Sequence, residues 1–151
     1  VEVLAKAHMK TKCQPGMKYL LIVTAVIEVG AGLSLLCCPS TMVKLLLAST
    51  LASLATRVLG RFAGAALLAL GLANWLARRE DQSLSTRGLV GAMLLYNLGA
   101  VLILTAYGCQ SQTIGVALWP AVIVHAIMSA WCATTFIRKS VHSVSESQPE
   151  E

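Results

Sequence analysis

Four side chains in this sequence are able to do chemistry that their surroundings do not invite: Glu28, Arg61, Asn97 and His125. All four lie within long apolar stretches. An ionisable group in the middle of a bilayer is costly, so an intramembrane carboxyl or imidazole marks by default a place that binds a ligand or passes protons. Each also has a plainer reading. Glu28 can be a protonated carboxyl that only joins helices, and Asn97 can hydrogen-bond a neighbouring helix. His125 can relay a proton or merely satisfy Glu28, and Arg61, which does not give up its proton, fits a structural partner better than a reactive group.

Position brings three of these residues together. In spans drawn from their polar flanks, Glu28 is the tenth of twenty residues in 19–38, Asn97 the tenth of twenty in 88–107, and His125 the eleventh of twenty-two in 115–136. With a rise of about 1.5 Å per residue, this spacing predicts a shared polar layer near the midplane. Arg61 starts roughly 9 Å outward of the centre of its own span, and its long side chain can reach that layer or snorkel away from it. Helical spacing puts Thr24, Glu28, Ala31 and Gly32 on one stripe and Ala121, His125, Ser129 and Cys132 on another. Small and polar neighbours of this kind mark faces turned to protein and not to lipid. The expected contact is Glu28 with Arg61 or His125.

The five cysteines form no C-x-x-C or other metal or redox motif. Cys37, Cys38 and Cys109 fall near one face, so a disulfide among them is open in an oxidising compartment; the alternative is that they fill space as small apolar residues. No phosphate-binding loop, H-E-x-x-H, G-x-S-x-G or dinucleotide fingerprint occurs, and the loops are too short for a separate catalytic domain. No metal site and no cofactor is evident, and whether the chain is an enzyme stays open, with a non-enzyme favoured.

The elements that must position these residues are membrane-spanning helices. The chain of 151 residues is 56% hydrophobic and 13% charged, and its charges gather between apolar runs. Soluble amphipathic helices would spread them along one face. Four runs approach the roughly 20 apolar residues that cross a bilayer: about 19–38, 58–76, 88–107 and 115–136. Between the first two, residues 41–56 mix Leu45, Leu46, Leu47 and Leu51 with Lys44 and several hydroxyls, which predicts an interfacial or re-entrant helix. Gly60, Gly64 and Gly71 share a face of the second span suited to close packing. The fold class is therefore expected to be all-α, an integral membrane four-helix bundle with a short interfacial helix between the first two spans. Residues 1–16 are read as a polar extension outside this domain, with Met17 or Met9 as the natural start, and 140–151 as a disordered acidic tail.

Lys and Arg set the expected orientation. Lys18, Arg78, Arg79, Arg87, Arg138 and Lys139 fall on one side and Lys44, Arg57 and Arg61 on the other, and Lys6, Lys10 and Lys12 extend the bias. The positive-inside rule then puts both termini in the cytoplasm, as in a plasma or bacterial inner membrane. The formal charge of +5 is explained by this topology and not by nucleic acid, since no basic stripe with interleaved aromatics is present. The implied partners are the lipid bilayer and a membrane protein or a second copy of the chain.

One family has a similar layout. A first helix ending at Cys38-Pro39, an amphipathic connector, and a second helix opening on Arg57-x-x-Gly60-Arg61-x-x-Gly64-x-x-Leu67-Leu68-x-x-Gly71 together resemble the small DoxX-like four-helix membrane proteins. The resemblance covers the first two spans best. It implies a four-helix membrane fold and, because some members are subunits of quinone-linked oxidoreductases, a quinone as one conceivable ligand. Two functions follow as expectations. One is a membrane subunit or assembly factor whose buried polar cluster Glu28, Arg61, Asn97 and His125 binds a lipid-like ligand or quinone; the other is a small proton-coupled carrier using Glu28 and His125.

Overall fold

A computed structural model describes residues 15–50, 53–80 and 83–145. Five helices follow in order: α1 (Pro15–Cys37), α2 (Pro39–Leu47), α3 (Leu54–Ala77), α4 (Leu84–Gln110) and α5 (Leu118–Ser145). No strand occurs among the described residues. Four of the helices, all but α2, are long and apolar enough to cross a membrane. The fold is thus all-α, with the short helix between the first two spans where the sequence puts it.

Local chemistry explains the helix ends. Pro39 lacks an N–H and restricts the residue before it, so the chain breaks at Cys38 (φ −134°, ψ 60°) and restarts with the proline at the first turn of α2. Ala48 closes α2 in the left-handed conformation (φ 50°), its N–H donating to the Lys44 carbonyl. The next two spans open alike: Ser53 accepts from Thr56 N at 3.1 Å and Ser83 from Thr86 N at 3.2 Å. These serine caps start α3 and α4 earlier than the apolar runs alone predict, at Leu54 and Leu84 instead of 58 and 88. Of the expected interfacial segment 41–56, residues 41–47 belong to α2 and 54–56 to α3, while 51 and 52 lie outside the described residues. At the other end, α5 continues through Ser145, so residues 140–145 of the expected disordered tail are helical. Once a helix is nucleated each added residue gains a hydrogen bond, and no proline or glycine interrupts this stretch. Residues 1–14 and 146–151, the rest of the expected extension and tail, lie outside the described residues.

The helices pack as two antiparallel pairs, α1 against α3 and α4 against α5. The first pair is close because glycines remove the side chains between the backbones. A Cβ placed on Gly32 would lie 2.8 Å from the Gly64 carbonyl oxygen, one on Gly64 would lie 2.8 Å from the Gly32 carbonyl oxygen, and one on Gly71 would meet Val29 and Ala25. In a bilayer, where lipid tails are as apolar as leucine, such close van der Waals packing replaces the hydrophobic effect as the force between helices. The outward surface fits this setting, with Leu59, Phe62 and Leu72 of α3, Leu95 and Leu102 of α4 and Ile123 of α5 all exposed.

The two pairs meet over half their length only. Met17, Leu20 and Leu21 of α1 pack on Val90 and Met93 of α4 and on Met128 and Cys132 of α5, sealing the half of the bundle nearer Met17. The other half is hollow. There α2 turns back across the end and is tied to the α4–α5 connection, with Gly115 N donating to the Leu46 carbonyl (3.2 Å), Ala117 N to the Leu45 carbonyl (2.9 Å) and Tyr107 Oη to the Leu47 carbonyl (2.7 Å).

Candidate functional site

The floor between the sealed and hollow halves is polar. Glu28 of α1, Asn74 of α3 and Asn97 of α4 are each 3% exposed or less, and His125 of α5 is half-buried beside them. Asn74 Nδ2 donates to Glu28 Oε2 at 2.9 Å and to the carbonyl of Leu70 at 3.1 Å, with the thioether of Met93 at 3.2 Å. Across the floor, Asn97 Nδ2 donates to the Met93 carbonyl at 2.8 Å, and Asn97 Oδ1 lies 2.8 Å from His125 Nδ1. The Tyr96 ring meets the imidazole edge to face, 5.7 Å between centroids at 78°, which fixes the plane of the histidine. Met93 thus stands between the two amide-centred pairs, touched by both.

The structure brings Glu28, Asn97 and His125 together and corrects the expected pairing. Arg61 does not join them: it is exposed on α3, and the group held against Glu28 is Asn74, not Arg61 or His125. The register of the first pair gives the reason. Gly32 lies against Gly64 and Leu68, and Gly71 against Ala25 and Val29, so the Glu28 level of α1 meets α3 near Leu70, more than two turns beyond Arg61, and Asn74 reaches the carboxyl from the next turn. The sequence does not single out Asn74 because it stands beside Trp75 and Arg78, where an interfacial residue is expected. It does hold a signal: Asn74 follows Gly71 by three residues and so continues the face of Gly64 and Gly71.

The disulfide expectation is also corrected. Cys37, Cys38 and Cys109 are free and exposed, and Cys132 is free and buried. Cys37 ends α1 while Cys109 belongs to α4, and these helices sit in different pairs, so nearness to one face does not bring their sulfurs together.

Three buried polar atoms are left without a hydrogen-bond partner among the described residues: Thr24 Oγ1, Glu28 Oε1 and Asn74 Oδ1. Leaving such groups unpaired costs about 1–3 kcal/mol each, so their gathering at one place is the mark of a site and not of a packed core. Two of the three residues, Thr24 and Glu28, line a small cavity of about 70 Å³ together with Asn97, His125 and Tyr96. Above it, in the hollow half, lies a cavity of about 730 Å³ walled almost wholly by apolar side chains of all five helices. The two share Ile27, Ala31, Leu67, Tyr96, Val124 and His125, so the polar floor opens directly into the apolar chamber. Among the described residues no group of His, Cys, Asp and Glu side chains is placed to hold a metal ion.

Searches of protein-family models, of curated proteins and of solved structures found no match to this chain.

Proposed function

We propose that this protein binds a lipid-like molecule, with the polar head at Glu28, Asn97 and His125 and the apolar body in the chamber roofed by α2, and that it works as a membrane subunit or assembly factor. One observation carries this reading: an apolar cavity of about 730 Å³ whose floor is a small pocket with unpartnered buried polar atoms. Ligand sites have this form, mostly apolar walls of some 300–1,000 Å³ with a few placed polar groups. A quinone, the ligand that the DoxX-like layout brings in, has both an apolar tail and a small polar head. The short connections between spans favour a subunit, since they leave no room for a separate catalytic domain.

Native mass spectrometry of the protein in mild detergent tests the reading. A retained small molecule that is absent from Gly99→Phe supports it, since Gly99 lines the chamber and has no atom within 4 Å of a Cβ position. Unliganded protein whose proteoliposomes take up protons on their own would instead favour the carrier.

The same proposal includes topology. The Lys and Arg asymmetry supports a multi-pass protein of a plasma or bacterial inner membrane with both termini cytoplasmic. A reporter after Glu151 should read cytoplasmic and one at Gln112 external; the reverse would defeat the assignment.

A further inference from the structure

The hydrogen bonds around His125 fix which of its nitrogens is left as an acceptor. Asn97 Nδ2 lies 2.8 Å from the Met93 carbonyl oxygen, and only an N–H can face a carbonyl at that distance. The amide is therefore oriented with its oxygen toward the histidine, 2.8 Å from Nδ1, and Nδ1 must carry a hydrogen. In the neutral ring Nε2 is then a lone pair, an acceptor with no donor among the described residues, on a side chain that lines both the polar pocket and the apolar chamber.

The surroundings limit what can meet that acceptor. Among the described residues no Lys or Arg lines either cavity, and the one acidic group lining them is Glu28, so an anionic head would find a carboxyl and no counter-charge. The polar pocket, at about 70 Å³, is small beside the chamber and suits a head of few heavy atoms. Thr24 lines the same pocket, and its hydroxyl, lacking a partner among the described residues, is able to donate to an oxygen placed there.

We propose that the ligand is an uncharged long-chain alcohol whose hydroxyl donates to His125 Nε2 and accepts from Thr24, with its hydrocarbon chain filling the chamber below α2. This rests on the reading that the chamber binds a lipid-like molecule and adds the chemistry of its head.

The test uses the full-length protein, delipidated in detergent micelles and titrated with hexadecanol, its methyl ether and hexadecanoic acid at a pH where the acid is ionised. Hexadecanol should bind at least about tenfold more tightly than either analogue, the loss expected for one buried hydrogen bond. In His125→Phe, which keeps an aromatic ring but no acceptor, the alcohol should lose its advantage over the ether. Equal binding of alcohol and ether, or tighter binding of the acid, overturns the alcohol head while leaving a lipid-binding chamber in place. Binding of none of the three overturns the chamber reading itself. Should His125→Phe fail to fold, nitrogen-15 NMR of the unaltered imidazole decides: Nδ1 should be protonated and the Nε2 resonance should move on adding hexadecanol. A ring protonated at Nε2 overturns the proposal.

Discussion

The carboxyl of Glu28 is held by the side-chain amide of Asn74, an Nδ2–Oε2 hydrogen bond of 2.9 Å that joins α1 to α3 inside the bundle. The partner is neutral. Nothing in this pair balances a negative charge, in contrast to an Arg–Glu bridge, so neutrality at this depth has to come from a proton on the carboxyl or from what enters the pocket. Asn74→Leu removes the side chain that hydrogen-bonds Glu28 and should lower stability in detergent by about 1–3 kcal/mol. A double-mutant cycle of Glu28→Leu with Asn74→Leu should show coupling, whereas the cycle of Glu28→Leu with Arg61→Gln should show none; coupling to Arg61 as strong as to Asn74 would contradict the register of α1 on α3.

The glycine crossing gives a sharper steric test. Gly64→Val places carbon where the Gly32 carbonyl and the Leu35 side chain already stand, and overpacking of this sort costs about 1–3 kcal/mol. Gly88→Ala, on α4 with nothing within 4 Å of the added Cβ, should be neutral or gain up to about 1 kcal/mol from helix propensity. Thermal unfolding of the two variants in one detergent compares them directly, and equal midpoints would mean that α1 and α3 do not cross there.

The tie between α2 and the α4–α5 connection depends on Gly115, where any Cβ would run into the backbone carbonyl of Leu45. Gly115→Val is therefore expected to release α2. Hydrogen exchange at residues 115 and 117, whose N–H groups donate to Leu46 and Leu45, should speed up while exchange within α1 stays slow. Tyr107→Phe should have a milder effect in the same direction, worth about 0.5–1.5 kcal/mol. Unchanged exchange in both variants would show that α2 is held by something else.

Thiol labelling checks the cysteines. Without reductant, Cys37, Cys38 and Cys109 should all react with a maleimide in detergent, while Cys132, fully buried against Met17 and Met128, should react only on unfolding. Loss of two labels that returns on reduction would restore the disulfide.

Several of these relationships can be read from the chain and several cannot, for definite reasons. The spans are visible because lipid-facing helices must be apolar over a fixed length, and Asn97 and His125 are visible because a polar residue within such a run is costly unless it meets a partner inside the bundle. Their meeting follows from shared depth on adjacent helices. Asn74 is hidden because depth is measured within each span from its own ends, while the glycine contacts slide α3 along α1 and bring a residue near the end of one span to the middle of the other. The same slide carries Arg61 away from the polar floor. The cysteines share a face but not a helix pair, and pairing of helices is decided by packing that hydropathy does not record. The chamber itself leaves no signal, since its walls are made of the residue types that also face lipid.

The break at Cys38–Pro39 has a consequence for how the protein is made. It sends α2 across the end of the bundle, but the carbonyls of Leu45, Leu46 and Leu47 find their partners only at Tyr107, near the end of the third span, and at Gly115 and Ala117 beyond it. From the earlier part of the chain α2 has only its packing against α1 and α3. The α2 tie therefore waits for the α4–α5 connection, while the chamber, lined by side chains as exposed as Leu95 and Ile103, keeps an open side, so the finished fold does not shut a ligand in.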